Sequence, residues 1–304
     1  MAFSSLRSLM GASSGGGGGN PYAIFGYGRD VSGSYVSLTN KVGDTGVVAT
    51  DTTGVGTARG ALAAAGYGSD KAIFGYGTTG SYASVTNKVG NTGNVATDTT
   101  GVGSGRAYLA AAGYGTDKAI FGYGWLSPSK ISLTNKVDSS GNVATDTTGV
   151  GSARNGLAAA GYGTNRAIFG YGNTGSPASL TNKVDNSGVV ATDTTGVGTA
   201  RENLAAAGYG SDKAIFGYGT TVSLSSVTNK VSNTGVVSTD TTGVGTARHL
   251  LAAAGYGTDK AIFGYGWTGS PASVTNKVDN TGSVATDTTG VGTARRSSAA
   301  AGYG

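Results

Sequence analysis

The sequence predicts an all-β protein in which six four-stranded antiparallel sheets form a ring, and three observations support this prediction. One pattern recurs six times, with copies that start 47 to 49 residues apart: AIFGYG, a variable stretch, TNKV, TDTTGVG, an Arg and AAAGYG. A period of this length is typical of propellers and solenoids. The first copy begins at AIFGYG (23–28) without a preceding AAAGYG, and the chain ends on AAAGYG at 299–304. We therefore predict a six-bladed β-propeller whose ring is closed by the C-terminal strand pairing into the first blade, which leaves no exposed sheet edge.

Each copy predicts four strands, as the copy at 154–197 illustrates. LAAAGY (157–162) and AIFGY (167–171) flank a polar turn and predict one hairpin, while ASLTNKV (178–184) and VVAT (189–192) predict a second. The alanines also favour a short helix, but so few residues between glycines are too short to sustain one. We expect the alanine strand to lie beside the central axis, where only small side chains fit. Ile, Phe, Leu and Val would fill the space between blades.

Residues 1–22 stand outside the repeat and are predicted to be an N-terminal docking peptide with a Gly-rich linker, and 23–304 is predicted to be the propeller. GASSGGGGGNP (11–21) predicts a flexible tether. Four apolar residues before it have the spacing of one helical face, which predicts an anchor on a partner protein: Phe3, Leu6, Leu9 and Met10. A disordered tail without a docking role is the alternative.

The composition excludes several classes of protein. Only 12% of the residues are charged, and most of the 57 glycines recur at fixed repeat positions, which indicates ordered turns and not a disordered chain. The net charge of +5 comes largely from evenly repeated Lys and Arg, whereas a nucleic-acid groove needs clustered basic residues. The chain has no Cys, so it forms no disulfides. No apolar run approaches the ~20 residues that span a bilayer, so we expect no membrane insertion.

The order of segments resembles that of kelch-type propellers. RENLAAAGYGSDKAIFGYG (201–219) shows it: an Arg, a small apolar strand, a polar turn and an apolar-aromatic strand that ends in glycines. The resemblance covers residues 22–304 and departs where Gly-Tyr-Gly replaces paired glycines and where the outer-strand Trp is missing. The near-identical repeats are also similar to those of phage virion proteins, particularly from aquatic phages. That likeness implies a structural or fibre role in a virion.

The repeated polar residues are expected to be structural. One Asp per copy, without a second acidic ligand, makes a poor calcium site, so we expect each to accept backbone N–H groups in a turn: Asp51, Asp98, Asp146, Asp193, Asp240 and Asp287. The repeated Arg is expected to pack between blades or to pair with this Asp, and a ring that binds anions is the alternative: Arg59, Arg106, Arg154, Arg201, Arg248 and Arg295. Twelve repeated Tyr are expected to pack in the core with satisfied hydroxyls, and stacking on sugars is the alternative.

The sequence offers little for catalysis. His249 is the only His and Glu202 the only Glu, so paired acid–base groups are lacking. We therefore predict a protein that is not an enzyme and that has no cofactor and no metal site.

Two windows of each copy vary, and we call the surface that they form the variable face. The first window follows AIFGYG and the second is the pair of residues after the repeated Arg. Both connections emerge on the same side of an antiparallel blade, and aromatic side chains there are typical of interfaces and carbohydrate sites. The predicted binding residues are Tyr35, Tyr82, Tyr108, Trp125, Trp267 and His249. Drift in surface loops is the alternative.

These observations predict a structural and binding propeller that is a phage virion component, such as a tail, fibre or capsid-decorating protein. Its expected partners are other virion proteins, through residues 1–22, and host surface glycan or protein, through the variable face. Its expected location is the virion or the extracellular space. Two alternatives remain open: a free lectin-like or protein-interaction propeller, and a kelch-like enzyme.

Overall fold

The computed structural model describes residues 20–304, so the predicted docking residues Phe3, Leu6, Leu9 and Met10 lie outside the described residues. The described part is all-β, and within it no helix could cross a membrane. Its strands are β1 (Tyr22–Arg29), β2 (Tyr35–Val42), β3 (Ala63–Tyr67), β4 (Lys71–Gly75), β5 (Thr86–Val89), β6 (Ala110–Tyr114), β7 (Lys118–Leu126), β8 (Ser129–Val137), β9 (Ala158–Tyr162), β10 (Arg166–Gly170), β11 (Thr181–Val184), β12 (Ala205–Tyr209), β13 (Lys213–Gly217), β14 (Thr228–Val231), β15 (Ala252–Tyr256), β16 (Lys260–Trp267), β17 (Pro271–Val278) and β18 (Ala299–Tyr303).

The strands form six three-stranded antiparallel sheets: sheet 1 (β18, β1, β2), sheet 2 (β3–β5), sheet 3 (β6–β8), sheet 4 (β9–β11), sheet 5 (β12–β14) and sheet 6 (β15–β17). In every sheet the AAAGY strand pairs with the AIFG strand, as the predicted hairpins require. In sheet 1 these two strands come from opposite ends of the chain, because β18 pairs with β1 in the register Phe25↔Ala300. The predicted pairing of the C-terminal strand with the first copy is therefore confirmed.

The prediction of a fourth strand is wrong. In the 154–197 copy, the stretch from VVAT to Thr194 forms isolated bridges with β11, at Val190 and Thr194, and no continuous strand. Between these bridges the side-chain amide of Asn182 donates to Ala191 O (2.9 Å), where a continuous ladder would use a main-chain N–H. The segment also has one residue more between the bridges than β11 has. The inserted side chain and the extra residue interrupt the ladder, so each sheet stops at three strands.

The Gly-Tyr-Gly triplet forms a bulge at the end of the second strand. The register of β1 shifts between Gly26 and Gly28, and Tyr27 has a left-handed backbone (φ 62°). A Cβ on Gly26 would lie 2.8 Å from Cζ of Phe74 in sheet 2, and one on Gly28 would lie 2.6 Å from Arg296 O. Both glycines are thus required by close approaches, and the bulge re-aims the tyrosine towards the neighbouring sheet.

The hydrophobic core lies between sheets and not within them. Phe121 of sheet 3, for example, clusters with Ala63 and Ile73 of sheet 2. Sheet 6 makes the equivalent cluster with sheet 1, where Phe25 packs with Ala254 and Ile262. The AAAGY strands also contact one another in sequence, and β18 contacts both β15 and β3. This cyclic set of contacts is compatible with a propeller-like arrangement, in which each repeat buries its apolar surface against two neighbours.

Candidate binding face

The repeated arginines are buried between successive sheets, as predicted. Arg106 is fully buried; its Nε donates to Tyr123 O (2.9 Å) and its Nη1 to Ser104 O (3.1 Å). Its Nη2 donates to Asn135 Oδ1 (2.7 Å), and its guanidinium stacks on Tyr76 of the preceding sheet at 4.2 Å. All six repeated arginines stack in this way, at 4.0 to 4.5 Å. Because each is fully buried, a ring of these arginines that binds external anions is excluded.

The repeated aspartates accept backbone N–H groups, as predicted, but the donors lie in the linker of a neighbouring copy, so the aspartates connect sheets. Asp146 accepts the N–H of Ser104 (3.0 Å) and its hydroxyl (2.7 Å), from the linker 42 residues earlier in the chain. It also accepts Asn135 Nδ2 (2.9 Å) and lies 3.9 Å from Arg106 Nη1. Burial raises the pKa of Asp146, but the bonds from Ser104 and Asn135 and the Arg106 charge outweigh it and hold the pKa below its ordinary value. The Asp146 carboxylate thus links its own sheet to the preceding linker.

The repeated tyrosines are buried, which rules out sugar stacking on their rings. In the AIFGYG set each hydroxyl donates to a main-chain carbonyl, such as Tyr76 to Val102 O (3.0 Å), and burial raises the Tyr76 pKa to about 12. The predicted satisfied hydroxyl is confirmed for this set. In the AAAGYG set, Tyr67 is 2% exposed and its ring lies against Gly141 of the next sheet. The constant residues are thus used to join sheets.

The two variable windows contact each other through the main chain. Ala107 and Trp125, for example, exchange N–H···O bonds of 3.1 and 2.8 Å. The second-window segments also bond to one another: Tyr108 N–H donates to Ala61 O (2.8 Å), and Ala61 N–H donates to Ser297 O (2.9 Å), which joins the first and last segments. Every residue in this cycle has a positive φ between 53 and 61°: Ala61, Tyr108, Gly156, Asn203, Leu250 and Ser297. Since the contacts use only backbone atoms, the side chains are free to vary.

A small central pocket lies inside this cycle. It has a volume of about 60 Å³ and is lined by the cycle residues and by the residue that follows each of them. Five of those following residues are Leu and the sixth is Ser298, whose buried hydroxyl has no hydrogen-bond partner within residues 20–304. The space suffices for water but not for a sugar ring.

Three of the predicted binding residues lie apart from the others, around sheets 2 and 3. Tyr82, in the connection between β4 and β5, is 37% exposed. Tyr108 is 38% exposed at the rim of the central pocket. Trp125 pairs with Lys130 across β7 and β8 and is half-buried.

The other three predicted residues lie where sheet 6 meets sheet 1, together with two arginines that sequence reasoning did not single out. Trp267 exchanges main-chain bonds with His249 (3.2 and 2.8 Å), and the guanidinium of Arg296 stacks on Trp267 at 4.2 Å. Arg29 stacks on Tyr35 at 4.2 Å and donates to its hydroxyl. We call Arg29, Arg296, Tyr35 and Trp267 the arginine seam. An alignment of the six copies reveals Arg29 as unusual, because the other copies have Thr, Trp or Asn at this position.

His249 borders the arginine seam. Burial lowers its pKa, the charge of Arg296 lowers it further, and Glu202 opposes both. Its Nδ1 is buried and has no partner within residues 20–304. At neutral pH the ring is therefore uncharged, and the positive charge of this region belongs to the arginines.

The chain enters the described region on the side opposite the variable face. Asn20 O and Pro21 O accept the N–H groups of Thr258 and Gly257 (3.2 and 3.0 Å) in the hairpin turn between β15 and β16. That turn lies at the far end of β16 from Trp267. The described part of the chain therefore begins beside the constant turns.

Comparisons with known proteins do not identify a family. No protein-family model matches the chain, and no curated protein matches it significantly. Within residues 20–304, no three His, Asp or Glu side chains are grouped so that they could hold a metal ion. The resemblances to kelch-type propellers and to phage virion proteins gain no support from these comparisons, and the chain's chemistry has to be inferred from the variable face.

Proposed function

We propose that the chain is a six-bladed β-propeller closed by β18, and that it is a non-enzymatic structural and binding protein of a phage virion. Residues 1–22 attach it to other virion proteins. The variable face binds host surface glycan or protein.

One observation carries this proposal: constant and variable side chains are separated in space. The repeated Arg, Asp, Phe and Tyr are used between sheets, and the last sheet contacts the first through the same groups, as in the stacking of Arg295 on Tyr265. The variable windows meet on one face, and the N-terminal segment joins the other. A protein tethered through residues 1–22 would thus present its variable face away from its attachment point, as a receptor-binding protein requires.

The test is incorporation into purified particles. The full chain should be present in particles by mass spectrometry, and deletion of residues 1–19 should abolish incorporation. The deletion keeps Asn20 and Pro21, so the Tm should stay within about 2 °C of the full chain, because exposed termini contribute little to stability. Full incorporation of the truncated chain would refute the docking role. Absence of the full chain from particles, together with binding to cell surfaces, would instead support a free lectin-like propeller.

A further inference from the structure

Two arginines lie directly opposite each other on the variable face. Arg29 and Arg296 exchange main-chain N–H···O bonds of 2.8 and 2.9 Å. Residues in such a hydrogen-bonded pair have Cα atoms about 5.5 Å apart, and like charges directly opposite destabilise a sheet. The pair is therefore locally unfavourable in the unliganded protein.

No carboxylate oxygen lies within 4.0 Å of either guanidinium within residues 20–304. The repeated arginines lie near an Asp, as Arg154 does at 3.6 Å from Asp193, but neither Arg29 nor Arg296 takes part in an ion pair. Asp30 follows Arg29 in the chain, yet its carboxylate accepts the N–H groups of Ser32 and Ser34 (2.9 and 3.0 Å). The two guanidiniums thus have no direct ion-pair partner among residues 20–304.

The guanidiniums are held in place by aromatic rings. Arg29 lies over Tyr35 and Arg296 over Trp267, both at 4.2 Å. Only one side-chain donor of Arg29, Nη2, and none of Arg296 has an acceptor within residues 20–304. Stacking therefore pre-orders the two groups and leaves most of their N–H donors available for a ligand.

The arrangement occurs once in six copies. The equivalent main-chain pairs are Gly60/Thr78, Ala107/Trp125, Asn155/Asn173, Glu202/Thr220 and His249/Trp267. None of them places two cations together. A local departure from an otherwise repeated design, with a cost in stability, is typical of a functional site.

We infer that the arginine seam binds the carboxylate or phosphate of an acidic saccharide. A guanidinium binds such an oxyanion through two parallel charge-assisted hydrogen bonds, a second one on the same face adds positive charge, and the aromatic rings beside them offer apolar surface to the sugar. This inference rests on the proposed binding role of the variable face and names its ligand class. It does not depend on attachment to a virion.

The chain's two tryptophans allow a direct test. Trp267 belongs to the seam, whereas Trp125 pairs with Ala107 and no arginine of residues 20–304 stacks on it. We would label the full chain with 5-fluorotryptophan and titrate it by ¹⁹F NMR with glucuronate, glucose 1-phosphate and glucose. The Trp267 resonance should shift and saturate with one or both anionic sugars and not with glucose, and the Trp125 resonance should not move. The response to glucuronate against glucose 1-phosphate distinguishes carboxylate from phosphate recognition.

Variants separate specific recognition from general charge. Arg29→Gln and Arg296→Gln should each weaken the affinity at least tenfold. Arg166→Gln, at an exposed arginine that begins β10 beside the opposite turns, should leave the affinity unchanged. An unshifted Trp125 resonance shows that each variant is folded. Equal shifts with glucose, no shift with either anionic sugar, or equal losses in all three variants would overturn the inference. None of these results bears on particle incorporation, so failure of the seam and failure of the virion role are distinguishable.

Discussion

Replacement of one buried arginine tests how the sheets are held together. Arg106→Met removes the guanidinium and keeps an unbranched apolar chain against the Tyr76 ring. Three acceptors at 2.7 to 3.1 Å lose their charged donor. Such hydrogen bonds contribute about 1.5–3 kcal/mol each, and removal of one partner from a buried charged network costs about 3–5 kcal/mol. We expect the free energy of unfolding to fall by about 4 kcal/mol and the Tm by about 8 °C.

Two other arginines provide matched controls for Arg106→Met. Arg295 occupies the equivalent place between sheets 6 and 1, but its buried Nε has no acceptor within residues 20–304. Arg295→Met therefore breaks one charged hydrogen bond fewer and removes a buried donor that already lacks an acceptor. We expect it to lower the free energy of unfolding by about 2 kcal/mol. Arg166→Gln, at an exposed position, should change stability by no more than about 0.5 kcal/mol.

Urea unfolding followed by circular dichroism would rank the three variants. The expected order of destabilisation is Arg106→Met, then Arg295→Met, then Arg166→Gln. A loss below about 1 kcal/mol for Arg106→Met would refute the role of the buried arginine network, since surface substitutions reach that size. Equal losses for Arg106→Met and Arg295→Met would refute the assignment of stability to the Nε bond.

Three further predictions concern the aspartates, a glycine and the core. The pKa of each repeated aspartate is lowered on folding, so its contribution to stability is complete above the unfolded pKa of about 3.9 and is lost as the pH falls through the folded pKa. Thermal unfolding should therefore show a constant Tm from about pH 6 to 8 and a steep fall in Tm below about pH 4. The fall should be shallower in Asp146→Asn. Gly75→Ala should cost about 1–3 kcal/mol in urea unfolding because its Cβ would lie 2.7 Å from the next sheet's Phe, whereas Gly90→Ala, with its nearest atom at 3.9 Å, should be neutral; equal effects would exclude the steric cause. Phe169→Ala should cost about 3–5 kcal/mol as a truncation of a fully buried side chain, and Trp125→Ala, half-buried, should cost clearly less; similar losses would make Trp125 a core residue.

The sequence predicted what depends on local pattern and period. The AAAGY and AIFG strands follow from alternating burial and glycine-bounded turns, and the pairing of β18 with β1 follows from the order of segments. The fourth strand was wrong because Asn182 bonds a main-chain carbonyl with its side chain, which strand propensity does not register. The sequence predicted that Asp146 accepts a backbone N–H but not which one, because the donor, Ser104, lies 42 residues away in another copy. Periodicity shows that a residue is constant but not which neighbour it contacts.

The arginine seam was hidden for a related reason. Arg29 and Arg296 lie at opposite ends of the chain and become neighbours only because β18 joins the first sheet, so no window of sequence contains both. The two arginines would not repel each other if the first and last copies were not in contact. The pairing of β18 with β1 therefore also brings side chains from the two ends of the chain together on the variable face. Since main-chain bonds hold that face, we expect substitutions there to change stability little, whereas a change in the constant residues acts on two sheets at once.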